Sequence, residues 1–210
     1  MKKYILMADI KESGRKKANK LMKDFKKITD IIREEKKSFF LSPITITLGD
    51  EFQSIVKTLG DGLDIIISLE ELRLKKEKDF YLRYVLNYGE IETPINKEKA
   101  HGMLGKGLSE TREILEDEKK KDLKFYIKSK NPDISKQLNF ALIIYQHFID
   151  SWKLKDYKIV SSFIEHKDYK KVAKELNKNV SLMWKRGKSL NIKEYFVIKK
   201  LIYSLSRRDS

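Results

Sequence analysis

Hydrophobic positions along the first 130 residues change period several times. Tyr4–Ala8 is an unbroken apolar run, the pattern of a strand buried on both faces. Ala18, Leu21, Met22, Phe25, Ile28 and Ile32 then recur at steps of three and four, one stripe of an amphipathic helix. Ser13 is placed to cap its start. Pro43 interrupts the chain, after which Ile44, Ile46 and Leu48 alternate with Thr45 and Thr47 as a strand closed by Gly49. Phe52, Ile55, Val56, Leu59, Leu63, Ile66 and Ile67 return to helical spacing, with Gly60 and Gly62 expected to kink or break that helix. Phe80–Leu86 predicts a third strand, continued past a bulge by Tyr88–Ile91. Leu108–Leu115 predicts a helix and Leu123–Ile127 a fourth strand. The predicted order is β-α-β-α-β, a glycine-bearing loop over 101–107, then α-β.

Strand signals stop after the Asn131-Pro132-Asp133 turn. Ile134, Leu138, Leu142, Tyr145, Ile149 and Trp152 mark one long helix, and Tyr157, Val160 and Ile164 another. The pattern therefore predicts an α+β domain over 1–130 and an all-helical module over 131–210.

Composition narrows the chemistry. The 210 residues include no cysteine, which excludes disulfides, thiolate nucleophiles and cysteine zinc sites. The three histidines are scattered. No apolar run approaches the roughly 20 residues that span a bilayer; a cytoplasmic protein without a membrane partner is expected. The formal charge is +15, and residues 151–210 hold 16 Lys and Arg against 6 Asp and Glu. A basic module of that size points to nucleic acid, although lysine-rich surfaces also arise without a partner.

Within that module, Tyr169, Val172, Ala173 and Leu176 form a short helix face. Asn177-Lys178-Asn179 is a tight connection, and Val180, Met183 and Trp184 open the next helix. This is a helix-turn-helix pattern, with small Ala173 allowing close crossing. The second helix is expected to expose Ser181, Lys185, Arg186 and Lys188 toward DNA. Trp152 and Trp184 are expected in the core.

The sharpest chemistry lies at two strand ends. Asp9 ends the first strand, and Gly49-Asp50-Glu51 follows the second. If those strands are neighbours, the two aspartates approach, and a divalent cation relieves their repulsion. Mg²⁺ takes one or two protein carboxylates and completes its shell with water and phosphate. The competing reading is that Asp9 caps a turn while Asp50 and Glu51 cap a helix start.

Met7-Ala8-Asp9-Ile10 and Leu48-Gly49-Asp50-Glu51-Phe52 resemble the metal-bearing segments of class III nucleotide cyclases and GGDEF proteins, which share a palm-like ferredoxin fold. More closely, Thr47–Gln53, the strand of Arg83, the glycine-rich loop and the helix of Arg112 resemble the SatD family over nearly the whole chain. The resemblance implies an α+β palm-like domain followed by a helix-turn-helix module. It implies Mg²⁺ or Mn²⁺ on Asp9, Asp50 and the Ile10 carbonyl, and a nucleoside triphosphate whose phosphates lie near Glu12, Ser13, Gly14 and Gly49. Glu51 and Arg112 join Asp9 and Asp50 as candidate catalytic residues. Ile46 stands where cyclases carry a base-selecting lysine and Leu108 where they carry an asparagine, so cyclisation and base preference do not carry over. Three functions follow: a nucleotide-responsive DNA-binding regulator, a nucleotidyltransferase or cyclase, and a degenerate palm scaffold serving as an interaction module. Palm domains of the cyclase type often complete their sites across a homodimer.

Overall fold

The computed structural model describes residues 1–11, 18–47, 49–121 and 123–209, with the side chain of Ala18 set aside. Strand β1 (Lys2–Lys11) is the middle of a five-stranded sheet of order β2-β3-β1-β4-β5. Its unbroken apolar run is explained by burial on both faces. Tyr4, Leu6, Ala8 and Ile10 enter the main core, while Ile5 and Met7 enter a second, smaller cluster on the opposite face. Around β1 the chain folds as α1 (Ala18–Glu35), β2 (Phe40–Ile46), β3 (Glu51–Val56), α2 (Leu59–Lys75) and β4 (Tyr81–Glu90). β1 is antiparallel to both β3 and β4, and β2 is antiparallel to β3, which is the ferredoxin-type βαββαβ arrangement. α3 (Lys106–Lys121) then leads to β5 (Phe125–Lys128), parallel to β4. The mixed α+β class read from the pattern is what the chain adopts.

Three local expectations are corrected. Residues 51–56 form strand β3, and the helix begins only at Leu59, with Thr58 capping it by accepting the Asp61 N–H. All six β3 residues are buried, so the strand shows no alternation, and its apolar positions join those of α2 in a false helical series. Gly60 and Gly62 therefore lie in the first turn of α2, which runs unbroken to Lys75. β4 needs no bulge: its register with β1 is continuous from Lys2↔Glu90 to Lys11↔Tyr81. Gly89 is required instead by close packing, since a Cβ there would lie 2.6 Å from Gly107 Cα at the start of α3. Pro43 sits inside edge strand β2, where a missing N–H is tolerated.

Helices α4 (Pro132–Ser151), α5 (Tyr157–His166), α6 (Tyr169–Glu175), α7 (Val180–Ser189) and α8 (Ile192–Ser206) complete the chain. Asn131 caps α4 by accepting the N–H groups of Asp133 and Ile134. One apolar cluster runs from Tyr4 in β1 through α2 and α4 to Leu205 in α8. A buried polar knot reinforces the junction: Arg73 of α2 donates to Tyr157 Oη at 2.8 Å and to Glu70 Oε2 at 3.2 Å, and Tyr84 donates to Glu70 Oε1 at 2.9 Å. Near residue 209, Asp209 accepts from the Tyr4 hydroxyl and from the Asn131 N–H. Trp152 is buried as expected and donates to Leu190 O at 2.9 Å, whereas Trp184 is 45% exposed, with Lys188 Nζ 3.8 Å from its ring centre. Met22, assigned to the buried stripe of α1, is also exposed; it lies over the turn at Gly49. No helix among the described residues is long and apolar enough to cross a membrane.

Candidate functional site

The odd-numbered residues of β1, β3 and β4 share the sheet face covered by α3 and the loop after β4, and the acids gather at one end of it. Asp9 is the register partner of Glu51 on one side and of Arg83 on the other. The strand carrying Ile44 and Ile46 is therefore not the neighbour of β1. Asp50 reaches β1 because the β2–β3 turn bends over its end, with Ile10 N–H donating to Asp50 O at 2.9 Å. Gly49 makes the turn with φ of +80°, a left-handed conformation that suits glycine. Glu51 opens a strand, so the helix-capping reading of these acids does not hold.

Each buried acid meets cations. Asp9 is 5% exposed, and Arg83 Nη1 lies 3.1 and 3.2 Å from its two oxygens. Arg83 is itself buried and its Nε donates to Leu123 O at 3.3 Å. Lys119 Nζ stands 3.2 Å from Asp9 Oδ2 and 2.5 Å from Glu116. Burial lifts the Asp9 carboxyl above its ordinary range, against the pull of Arg83 and Lys119. Burial also opposes the Lys119 ammonium, but Glu116 and Asp9 outweigh it and hold its pKa above the ordinary lysine value. Glu51 accepts from Arg112 Nη2 at 2.7 Å and from the Thr47 hydroxyl at 3.1 Å. The Asp50 carboxylate is half-buried and has no ion pair or hydrogen bond among the described residues.

The structure thus gathers Asp9, Ile10, Gly49, Asp50, Glu51 and Arg112 at one end of the sheet. Glu12, Ser13 and Gly14 lie outside the described residues. Sequence reading missed Arg83 and Lys119 as members of this site. A charge at an inward position of an apolar strand is a signal for Arg83; Lys119 is one of three consecutive lysines, which its position in the chain does not single out.

An open groove of about 690 Å³ runs from this end along α3. Met7, Met103 and Leu108 give it an apolar lining, Gln53, Ser109 and Glu113 polar groups, and Arg112 and Glu116 connect it to the buried acids. A larger groove of about 790 Å³ lies between α1 and β2; Asp9, Asp50 and Glu51 line neither groove, and Arg112 lines only the first. No group of three or more metal-ligating side chains occurs among the described residues. Asp9 and Asp50 could offer a divalent ion two carboxylates, a number Mg²⁺ accepts when phosphate and water complete its shell. The Lys119 ammonium already stands against Asp9 Oδ2 as a monovalent cation, so the carboxylate is presented to positive charge.

Among the helices after β5, Ser181, Lys185 and Lys188 are exposed on α7. Arg186 is not freely presented as expected: it is half-buried and paired with Asp156, which joins α7 to the start of α5.

Two solved structures described as bacterial light-regulated adenylyl cyclases align with 60% of this chain at 15% and 14% identity, each with a TM-score of 0.46. This chain covers 43% and 42% of theirs, less than half their length. No curated protein matches it. The SatD family model matches residues 4–205, nearly the whole length of both the sheet and the helices behind it, and the chain belongs to the SatD family.

Proposed function

We propose that the chain binds a nucleoside triphosphate together with Mg²⁺ or Mn²⁺ at the acidic end of β1 and β3. The observation that carries this reading is the half-buried Asp50 carboxylate, without a partner among the described residues, next to buried Glu51, whose partner Arg112 lines a groove with an apolar lining. Asp9 and Asp50, with the Ile10 carbonyl, would hold the ion, whose role is to neutralise the phosphates. Arg112 and Lys119 are long, partly exposed cations within reach of phosphate oxygens. Met7, Met103 and Leu108 suit a planar base, and Gln53, Ser109 and Glu113 offer hydrogen bonds to base or ribose. Thermal unfolding with ATP, GTP, CTP and UTP, each with and without Mg²⁺, tests it. At least one nucleotide should stabilise the protein in the presence of metal, and Asp50→Ala should remove the effect. No shift with any nucleotide overturns the reading. Pyrophosphate release under the same conditions, lost in Asp50→Ala, distinguishes a nucleotidyltransferase from a sensor.

A second activity is favoured by the helices. α7 contains no acid and presents Ser181, Lys185 and Lys188, while Ala173 and Met183 are buried where α6 and α7 meet. Asn177, in the connection between them, takes a left-handed φ of 49°. We read α6 and α7 as a DNA-binding helix-turn-helix, making the protein a nucleotide-responsive regulator. In fluorescence anisotropy with duplex DNA, Lys185→Ala/Lys188→Ala should bind more weakly and with a shallower salt dependence, by roughly 0.9 of a log–log unit for every phosphate that the variant no longer neutralises. Equal affinity and slope exclude the assignment.

A further inference from the structure

We propose that Lys119 is a resident counter-ion of Asp9, displaced when a divalent cation binds, and that its displacement couples the metal to the phosphate anion. The inference rests on the metal–nucleotide reading above and specifies how that site is regulated. Two cations compensate Asp9, and they differ in freedom. The Arg83 side chain is 6% exposed and tied to Leu123 O, so withdrawing it would strand a buried guanidinium. The Lys119 side chain is 39% exposed and carries its ammonium on a flexible stem. It also pairs with exposed Glu116 at 2.5 Å, so it can leave Asp9 without losing every anion. Arg112 has the same freedom opposite Glu51, at 44% side-chain exposure against 6% for the acid.

Each buried acid therefore has one cation that can leave. Phosphate alone would draw Lys119 and Arg112 from acids that stay buried and under-compensated. A divalent ion alone would have to displace Arg112, which then loses its acid, and Lys119, which then keeps only Glu116. Together the two ligands exchange partners: the metal takes the carboxylates, and the freed ammonium and guanidinium take the phosphate. Each ligand thus raises the affinity for the other, by the same factor in both directions.

The test measures Mn²⁺ affinity by electron paramagnetic resonance of the free ion, with full-length wild type, Lys119→Met and Lys119→Arg, and without nucleotide. Lys119→Met should bind Mn²⁺ about tenfold more tightly than wild type. Lys119→Arg, which keeps the positive charge, should resemble wild type. Inorganic phosphate, at a concentration that leaves most Mn²⁺ unchelated, should tighten Mn²⁺ binding by wild type and have a smaller effect on Lys119→Met. Equal Mn²⁺ affinity in wild type and Lys119→Met, with both binding, overturns the counter-ion role and leaves the metal site standing. Absence of Mn²⁺ binding to all three proteins, with or without phosphate or nucleotide, overturns the site reading and this proposal with it.

Discussion

Arg83 and Asp9 face each other across β1 and β4 with almost no solvent between them. Breaking such a pair strands a buried charge, which costs about 3–5 kcal/mol, whereas removing both partners costs less. Arg83→Met should therefore destabilise the fold by roughly that amount in urea titration. The double variant Asp9→Asn/Arg83→Met should recover part of the loss. Additive losses would show that the two side chains act independently. At this scale the site was only partly legible. Asp9, Asp50 and Glu51 stood out as acids at strand ends, while Arg112 entered through the family resemblance. Lys119 did neither, because its meeting with Asp9 depends on how α3 crosses the sheet, which no local pattern encodes.

The crossing of α3 rests on two glycines. A Cβ on Gly107 would lie 2.3 Å from Glu90 N and 2.5 Å from Gly89 C, so any side chain there pushes α3 away from β4. Gly107→Ala should cost about 1–3 kcal/mol in chemical denaturation. It should also weaken nucleotide-dependent stabilisation, because Arg112 and Lys119 ride on the same helix. A loss of stability with unchanged nucleotide response would separate packing from the site. Elements with one wet face were readable: α1, the long α4 and the short C-terminal helices follow their apolar stripes. β3 was not, because a central strand buried on both faces has no period of two. Thr58, with Asp61 three residues on, was the available sign that the helix starts later than its apolar series suggests.

The whole molecule buries an unusual set of tyrosines. Tyr84, Tyr145 and Tyr195 are 0% exposed, and burial raises each phenol well above its ordinary value of 10.0. The folded state keeps these protons while the unfolded chain releases them. Their contribution to stability is thus complete below about pH 10 and declines as pH rises beyond it, by about 1.4 kcal/mol per pH unit for each phenol. Urea midpoints should fall steeply between pH 10 and 11.5; a flat profile would mean that these phenols reach solvent in the native state. Tyr84, on β4, and Tyr145 and Tyr195, on α4 and α8, belong to the apolar cluster shared by sheet and helices, so alkaline unfolding should take both parts in one transition. The boundary near Asn131 marks where strand signals stop in the sequence; packing across it is continuous.

The contact between Tyr4 and Asp209 sets an order of events during synthesis. The two residues are 205 positions apart, so at about 5–20 residues per second the ribosome needs roughly 10–40 s to make the second after the first. Once β3 and β4 have followed, the central strand can pair with both neighbours, while its tyrosine hydroxyl still lacks the aspartate that accepts its hydrogen bond. A nascent chain arrested within α8 would carry every strand of the sheet and yet present an unfinished seam beside the start of α4.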